Sequence, residues 1–182
     1  MKTVYLAGPI TGLSYGEAAQ GWREFMEYAS VRNGCEWRCL SPMRGKEHLT
    51  GQEELLATEG QHYISTNKAI VTRDYNDVST CDAMVANFLG ATRVSIGTCV
   101  EFGFAHAHRV PLVLVMEKDN YHNHGFLTEI AGYWVQTLEE AIHVLDNLLT
   151  VGGAPPEATM NLLSGGLVMN VGERVAARKE TT

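Results

Sequence analysis

Positive charge is scarce in this chain. Its 182 residues include 14 lysines and arginines against 21 aspartates and glutamates, so the formal net charge is −7. A surface that neutralises nucleic-acid phosphates needs a basic excess, and the composition therefore argues against a partner that is a nucleic-acid polymer. A small anionic ligand is still compatible with this charge, because backbone amides at a helix N-terminus bind one phosphate without net positive charge.

Cysteines and long apolar runs are also few. The four cysteines, at positions 35, 39, 81 and 99, form no Cys-x-x-Cys pair. The best apolar run spans residues 110–116 and includes Pro111, whereas a membrane helix needs about 20 apolar residues. The amino terminus enters a strand without the charged-apolar-small pattern of a signal peptide. These absences predict a cytoplasmic protein with no membrane segment.

The remaining composition predicts one domain with a short appendage. Hydrophobic residues make up 45% of the chain and charged residues 19%, which is typical of a folded domain of this length. Residues 1–150 carry the strand and helix patterns of that domain. Residues 151–156 contain glycines and prolines and predict a linker, and the apolar tail up to residue 182 is expected to dock on the domain or on a neighbouring subunit.

Strand and helix patterns alternate along the domain. Five apolar segments predict strands at residues 2–7, 36–40, 82–88, 110–116 and 133–135. Helices are expected from Ser14 to the Asn33-Gly34 pair, at residues 63–78, from about Thr98, and after Thr137, with a long loop at residues 43–60. This alternation predicts an α/β fold, a flavodoxin-like or Rossmann-like doubly wound parallel sheet of order 2-1-3-4-5. In that order the loop at residues 8–12 faces the loop at residues 88–98 across the switch point, where ligands bind.

A carboxylate lies where the third strand leads into a helix. Residues 95–107 read Ser-Ile-Gly-Thr-Cys-Val-Glu-Phe-Gly-Phe-Ala-His-Ala, and we interpret the glycine as a turn and Thr98 as the approximate helix start. The helix macrodipole favours negative charge in the first turn, so Glu101 is expected to stay ionised, as a nucleophile must. The alternative is an ordinary first-turn glutamate.

Three segments in this order resemble the nucleoside 2-deoxyribosyltransferase superfamily, which includes the nucleoside 5′-monophosphate N-glycosidases. They are Tyr5-Leu6-Ala7-Gly8-Pro9, Asp74 eight residues before Asp82, and the Gly-Thr-x-x-Glu-x-Gly segment around Glu101. The resemblance covers residues 2–149. It implies that Glu101 attacks the anomeric carbon to form a covalent glycosyl-enzyme, that Tyr5 orients Glu101, and that Asp74 protonates the departing base. These residue types suit a retaining displacement with an oxocarbenium-like transition state.

Each of these residues has a plainer interpretation. Tyr5 in a buried strand is by default a core aromatic residue. Asp74, near Arg73 and Asp77, is by default a solvated charge on a helix. A protein that binds a nucleotide without turnover is therefore the alternative to an enzyme, although such a protein needs no nucleophile.

Ser95 distinguishes the two activities that the resemblance implies. Nucleoside transferases usually carry an aspartate six residues before the nucleophile, where it accepts the 5′-hydroxyl group, whereas the monophosphate N-glycosidases resemble this chain in having serine. A serine hydroxyl beside the Gly97 and Thr98 amides can donate to a phosphate that an aspartate would repel. Thr11 is a departure, because some monophosphate hydrolases have a phosphate-binding arginine there. As a plain loop residue, Ser95 would carry no such role.

The remaining expectations concern the edges of the site. The substrate is expected to contact Gly8, Ile10 and Gly12 in the first glycine loop, and Arg44 is placed to contact the base. Asn123 or His124 is expected to reach the active site of a neighbouring subunit, as the resemblance implies for a homodimer or a multiple of dimers. No cofactor is expected. No metal is expected either, because His106 and His108 point in different directions on a helix, and His122 and His124, which could share an ion in a loop, have no nearby cysteine or carboxylate pattern to complete a site. Hydrolysis, base exchange and transfer between free nucleosides all remain open.

Overall fold

A five-stranded parallel sheet forms the centre of the fold, with strand order β2-β1-β3-β4-β5. The computed structural model describes residues 1–32, 37–56 and 62–150. The strands are β1 (Lys2–Ala7), β2 (Trp37–Leu40), β3 (Ala83–Asn87), β4 (Leu112–Val115) and β5 (Tyr133–Val135). All four neighbouring pairs are parallel. The predicted α/β class and strand order are confirmed.

Helices cover both faces of this sheet. They are α1 (Tyr15–Ala19), α2 (Trp22–Arg32), α3 (Asn67–Thr80), α4 (Ile96–Ala107), α5 (Gly125–Ile130) and α6 (Leu138–Leu149), with a 3₁₀ turn at Glu47–Leu49. One core contains Val4 and Leu6 of β1 with residues of α2 and α6. The other contains Tyr5 and Ala7 with residues of α3 and α4. Successive side chains of a strand point to opposite faces, so β1 contributes to both cores and is buried on both sides.

The helix predicted from Ser14 is two helices. Ser14 caps α1 as expected, with a capping box to Glu17. However, α1 ends at Ala19 and α2 begins at Trp22, and Gly21 between them has a φ of +64°. A positive φ interrupts the right-handed helix and is accessible to glycine at little cost, which is the physical reason for the break.

Other helix boundaries differ from the predicted ones by a few residues. The third helix begins at Asn67 rather than at residue 63, because Thr66 caps it by accepting a hydrogen bond from the Ala69 amide. The sequence patterns did not indicate α5, whose N-cap is His124. Thr137 caps α6 through the expected capping box with Glu140. The predicted helix end at residues 33–34, the strand start at residue 36 and the whole segment 151–182 lie outside the described residues.

None of the helices within the described ranges combines the length and apolar character needed to span a membrane.

Candidate active site

Two loops meet at the carboxyl ends of β1 and β3. The Arg93 guanidinium, from the loop after β3, donates a hydrogen bond to the Thr11 carbonyl oxygen. Gly12 has a φ of +85°, and a Cβ atom built there would lie 1.9 Å from Arg93 Nη2. Gly12 is therefore favoured by the backbone conformation, and a larger residue there would also displace the end of the Arg93 side chain. The loops that were expected to face each other across the switch point are in contact.

Glu101 lies on α4 beside this crevice. Because α4 begins at Ile96, Glu101 is in the second turn of the helix, and the expected first-turn position is wrong. Tyr5, at the middle of β1, donates a hydrogen bond from its hydroxyl group to Glu101 Oε1 at 2.7 Å. The two residues are 96 positions apart in the sequence. Their contact shows that Tyr5 is more than a core aromatic residue with an unrelated hydroxyl partner.

The protonation of Glu101 differs from the expectation. The pKa of Glu101 is raised to about 8, mainly by burial and to a smaller extent by the negative charge of Asp74. The Tyr5 hydrogen bond and the charges of Arg23 and Lys46 act in the opposite direction. A pKa raised this far favours the protonated form of Glu101 at neutral pH. The macrodipole argument was wrong, because the side chain lies beyond the first turn and has lost most of its hydration.

Asp74 is a buried residue rather than a solvated one. It lies on α3 with 7% of its surface exposed, and Oδ1 accepts hydrogen bonds from Arg73 Nε at 3.2 Å and Nη2 at 3.1 Å. Burial raises the pKa of Asp74, and the adjacent Arg73 charge opposes that rise. The charge of Asp74 also raises the pKa of both Tyr5 and Glu101. Tyr5, Asp74 and Glu101 therefore form one electrostatic cluster.

Ser95 is the N-cap residue of α4, where the loop from β3 enters the helix. Its backbone amide donates to His122 Nε2 at 2.7 Å. Its hydroxyl oxygen lies 3.0 Å from the hydroxyl oxygen of the buried Thr98. A Cβ atom built on Gly97 would meet nothing within 4 Å. The Ser95 amide is thus engaged by His122, and one of the two hydroxyl groups donates to the other.

His122 is a site residue that sequence reasoning missed. It is 1% exposed and stacks on Phe88 with ring centroids 3.7 Å apart. Nδ1 lies 3.0 Å from Asn120 Oδ1, and burial lowers the pKa of His122. Because Nε2 accepts the Ser95 amide hydrogen, the proton of the neutral ring is assigned to Nδ1. His122 therefore connects the loop after β4 to the start of α4.

The model of the nucleoside 2-deoxyribosyltransferase family matches residues 4–171. The chain belongs to this family. No curated protein sequence matches the chain. The family is one of enzymes that act on nucleosides. The matched residues include Tyr5, Asp74 and Glu101.

Two solved structures with TM-scores above 0.5 show the same fold at low identity. A 2-deoxyribosyltransferase from Bacillus psychrosaccharolyticus is 14% identical, with 76% of this chain and 89% of that chain covered and a TM-score of 0.54. A conserved protein from Enterococcus faecalis is 17% identical, with 78% and 95% covered and a TM-score of 0.52. A CMP N-glycosidase from Clostridium botulinum is 20% identical, with 81% and 100% covered and a TM-score of 0.49.

Arg44 forms an ion pair with Asp77 of α3. Arg44 Nη2 lies 2.6 Å from Asp77 Oδ2. Arg73 Nη1 donates to the Arg44 carbonyl oxygen at 3.1 Å, and Arg73 Nη2 donates to the Pro42 carbonyl oxygen at 2.5 Å. These contacts fix the loop after β2 against the helix that carries Asp74. Contact of Arg44 with a base stays a prediction.

Asn123 and His124 organise their own loop. Asn123 Nδ2 donates to the Lys118 carbonyl oxygen at 2.6 Å, and His124 Nδ1 accepts from the Phe126 amide at 3.2 Å. Both side chains are exposed. Their contact with a neighbouring subunit stays a prediction. Among the described residues, no three His, Cys, Asp or Glu side chains are grouped so that they would hold a metal ion.

Two buried cations near Glu101 were also missed. Arg23 on α2 has no exposed surface, and Lys46 before the 3₁₀ turn is 5% exposed. Both lower the pKa of Glu101. One sequence signal could have indicated that Arg23 is buried. It lies three residues before Met26, a core residue, and residues three apart on a helix lie on the same face. Charged residues are rarely placed inside by pattern alone, because they are seldom fully buried.

Proposed function

We propose that this enzyme cleaves the N-glycosidic bond of a (2′-deoxy)nucleoside 5′-monophosphate through a covalent glycosyl-Glu101 intermediate. The observation that carries the proposal is the 2.7 Å hydrogen bond from the Tyr5 hydroxyl group to Glu101 Oε1, in a cluster with the buried Asp74. A carboxylate oriented in this way and a nearby carboxylic acid are the two groups that a retaining displacement requires.

The reaction has two displacements at one carbon. With Oε1 held by Tyr5, Oε2 of ionised Glu101 attacks C1′ of the sugar. The C1′–N bond breaks, its electron pair leaves with the base, and Asp74 gives its proton to that base. Burial supports this acid role, because it raises the pKa of Asp74 against the opposing effect of the Arg73 charge and hydrogen bonds. Water then attacks C1′, transfers its proton to Asp74 and releases Glu101 as carboxylate.

The phosphate preference is supported by the helix start and by Arg93. Serine rather than aspartate stands six residues before Glu101, and the Ser95 and Thr98 hydroxyl groups lie 3.0 Å apart at that helix start. Thr11 gives no positive charge to the first glycine loop, but Arg93 brings a guanidinium group to the Thr11 carbonyl and to Gly12. An arginine and hydroxyl donors bind a phosphate dianion through charge-assisted hydrogen bonds. We propose that Arg93 takes the place of the arginine missing at position 11.

A second candidate is base transfer between free nucleosides. It is favoured by the family model, whose description is nucleoside 2-deoxyribosyltransferase. The two activities share the glycosyl-Glu101 intermediate and differ in whether water or a second base attacks it.

One experiment separates these functions. Pure protein is incubated with matched deoxynucleosides and 5′-monophosphates, with and without a second base, and the free and exchanged bases are quantified. We expect base release with at least a tenfold preference for monophosphates, since one charge-assisted hydrogen bond contributes roughly 1.5–3 kcal/mol. Preference for nucleosides with base exchange would support the second candidate, and no release from any substrate would support a nucleotide-binding protein without turnover.

Substitutions at Ser95 test the phosphate contact itself. Ser95→Asp should lower monophosphate cleavage selectively, because it places like charges together, and Ser95→Asn is the neutral control of the same size. Equal loss for nucleosides and monophosphates in Ser95→Asp would contradict the assignment.

We further propose a homodimer or a multiple of dimers. Support comes from large apolar side chains exposed on α4 and α5, namely Ile96, Val100 and Phe126. Light scattering at micromolar concentration should give the mass of at least two chains, and the mass of a single chain would contradict this proposal.

A further inference from the structure

Three side chains of the loop after β4 bind backbone groups of the loop after β3. The contacts are Glu117 Oε1 to the Gly90 amide at 2.8 Å, Asn120 Nδ2 to the Phe88 carbonyl oxygen at 2.7 Å, and His122 Nε2 to the Ser95 amide at 2.7 Å. The loop that they hold also carries Arg93. Both side chains that are proposed to bind a phosphate, Arg93 and Ser95, therefore lie on a segment that the loop after β4 keeps in place.

The proton of the His122 ring is placed by its neighbours. Asn120 Nδ2 donates to the Glu117 carboxylate at 2.7 Å as well as to a carbonyl oxygen, so the amide nitrogen of Asn120 faces away from His122. Asn120 Oδ1 lies 3.0 Å from His122 Nδ1 and accepts from the His122 amide at 3.0 Å. The proton of the neutral ring is therefore assigned to Nδ1, and Nε2 accepts from the Ser95 amide.

The ring of His122 is fixed in this orientation. It is 1% exposed and stacks on Phe88 with an interplanar angle of 11°. Rotation of the ring would leave both nitrogen atoms and the Ser95 amide buried without these partners, which is unfavourable. The contact with Ser95 is thus part of the packed interior rather than one arrangement of a surface side chain.

This contact leaves the Ser95 hydroxyl group available. A serine at an N-cap ordinarily accepts a hydrogen bond from an amide of the first helical turn, but the Ser95 side chain makes no such bond with α4. Its hydroxyl oxygen lies 3.0 Å from Thr98 Oγ1. Because one hydroxyl group donates to the other, the pair keeps one hydroxyl hydrogen for another acceptor. His122 thus fixes the Ser95 backbone and uses none of its side-chain hydrogen bonds.

A proton on Nε2 would remove this acceptor. Both nitrogens of an imidazolium ion are donors, so a charged His122 would face the Ser95 amide with a second donor. Burial lowers the pKa of His122, which favours the neutral ring at pH 7.

The surroundings of the ring contain few titratable groups. Those hydrogen-bonded to His122 or to its partner Asn120 within the described residues are Glu117 and His124. Glu117 is separated from the ring by Asn120, and His124 contributes its backbone amide to the His122 carbonyl oxygen at 2.8 Å. Phe88 after β3 and Ser95 at the start of α4, which contact the ring from the other elements, are uncharged.

We propose that His122, as a neutral imidazole, is a positioning residue that fixes Ser95 for the 5′-phosphate group of the substrate and releases it when protonated. The consequence for the substrate rests on the proposed function, in which Ser95 contacts that phosphate. The coupling between His122 and the Ser95 backbone does not, because it concerns the folded protein without substrate.

Two substitutions separate the acceptor from the shape of the ring. His122→Phe keeps an aromatic ring against Phe88 but removes the acceptor, whereas His122→Gln supplies an amide oxygen as acceptor and does not titrate. His143→Gln, at an exposed histidine of α6, is the matched control. The Ser95 amide is followed by nitrogen-15 NMR between pH 4 and pH 8, with Ser95→Ala to identify its signal. Values of kcat and KM are measured for a deoxynucleoside and its 5′-monophosphate.

We expect the Ser95 amide of the wild type to titrate with a midpoint below 6.5, and that of His122→Gln not to follow this titration. At pH 7.5, KM for the monophosphate should rise about tenfold in His122→Phe, with kcat changed by less than about threefold, and His122→Gln should restore most of the loss. Below pH 6.5, KM should rise more in the wild type and His143→Gln than in His122→Gln. Protonation of the phosphate itself affects all three proteins alike.

A Ser95 amide that does not titrate in the wild type, or that titrates equally in His122→Gln, would overturn the proposal. Equal losses for the nucleoside and the monophosphate in His122→Phe would also overturn it, because they would indicate a general structural defect. If His122→Phe does not fold, His122→Gln decides: a weaker pH dependence of KM than in the wild type supports the proposal, and an equal one overturns it.

The two proposals fail in different ways. If the Ser95 amide titrates with His122 but the wild type releases no base from any substrate, the coupling is supported and the proposed function is wrong. The dissociation constant of the monophosphate, followed at the same amide, then takes the place of KM in each comparison.

Discussion

Asp82 and Glu101 are two carboxylates that contact β1, Asp82 at Lys2 and Thr3 and Glu101 at Tyr5. Asp82 begins the run that leads into β3, where Oδ1 accepts from Lys2 Nζ at 2.8 Å and Oδ2 accepts from the Thr3 amide at 2.8 Å. The Lys2 hydrogen bond lowers the pKa of Asp82. Glu101 accepts from a neutral tyrosine, and burial raises its pKa to about 8.

The difference shows what distinguishes a structural carboxylate from a reactive one in this fold. Asp82 is partly exposed, pairs with Lys2 and accepts the Thr3 amide hydrogen, so it links β3 to β1. These contacts favour its charged form over its protonated form. Glu101 is largely desolvated, and the two cations that act on it belong to other elements, Arg23 on α2 and Lys46 in a loop. A carboxylate with less stabilisation of its charge has more to gain from bond formation, which suits a nucleophile.

The largest expected effect is the loss of activity on removing the Glu101 carboxylate. Glu101→Gln keeps the shape of the side chain but cannot form the glycosyl ester, so base release should fall by at least about a hundredfold. High-performance liquid chromatography of the free base at saturating substrate measures this loss. Asp82→Asn is the matched control at the other carboxylate and should keep nearly full activity. Retention of more than about a hundredth of the activity in Glu101→Gln would contradict the nucleophile assignment.

Tyr5→Phe should have the next largest effect. It removes the hydroxyl group that donates to Glu101 Oε1, and a hydrogen bond to a charged group contributes roughly 1.5–3 kcal/mol. We expect kcat to fall by about 10- to 100-fold and the acidic limb of kcat/KM to move to higher pH.

The control for the missing hydroxyl is Tyr133→Phe, at a tyrosine that is 42% exposed on β5. That variant should match the wild type in both kcat and pH profile. An unchanged acidic limb in Tyr5→Phe would mean that the hydrogen bond does not stabilise the charged form of Glu101.

A smaller effect is expected in the pH dependence of stability. The folded-state pKa of Glu101 lies above its ordinary value of 4.5, so unfolding between these values releases a proton, and the wild type loses stability as pH rises from about 4.5 to 8. Glu101→Gln carries no such proton. Its melting temperature relative to the wild type should therefore increase between pH 5 and pH 8 in thermal unfolding followed by circular dichroism. A constant difference across this range would contradict the raised pKa.

The smallest effect is expected for Asp82→Asn. It removes a partly exposed ion pair with Lys2, and such pairs contribute about 0–1 kcal/mol to the free energy of unfolding. Because the folded-state pKa of Asp82 is lowered, this contribution is present above pH 4 and disappears as the carboxylate is protonated in acid. Urea unfolding at pH 7 and pH 3 measures it, and an effect as large at pH 3 as at pH 7 would show that the ion pair is not its source.

The pattern of apolar residues was enough to predict the sheet and much of its surroundings. The run Lys2–Ala7 was located from its own composition, and the capping boxes at Ser14 and Thr137 were predicted from residues three positions apart. These features depend on interactions within a few residues. The family resemblance likewise depends on short segments, those around Tyr5, Asp74 and Glu101.

Contacts between distant segments were decided by the tertiary structure. The sequence did not show that Gly21 would adopt a positive φ, that Glu101 would lie in the second turn of α4, or that His122 would accept the Ser95 amide hydrogen. The ionisation of Glu101 was predicted wrongly for the same reason. The pKa of Glu101 depends on burial, on the Tyr5 hydrogen bond and on charges from three other segments, whereas the sequence alone determined the residue types and the order of the strands that bring them together.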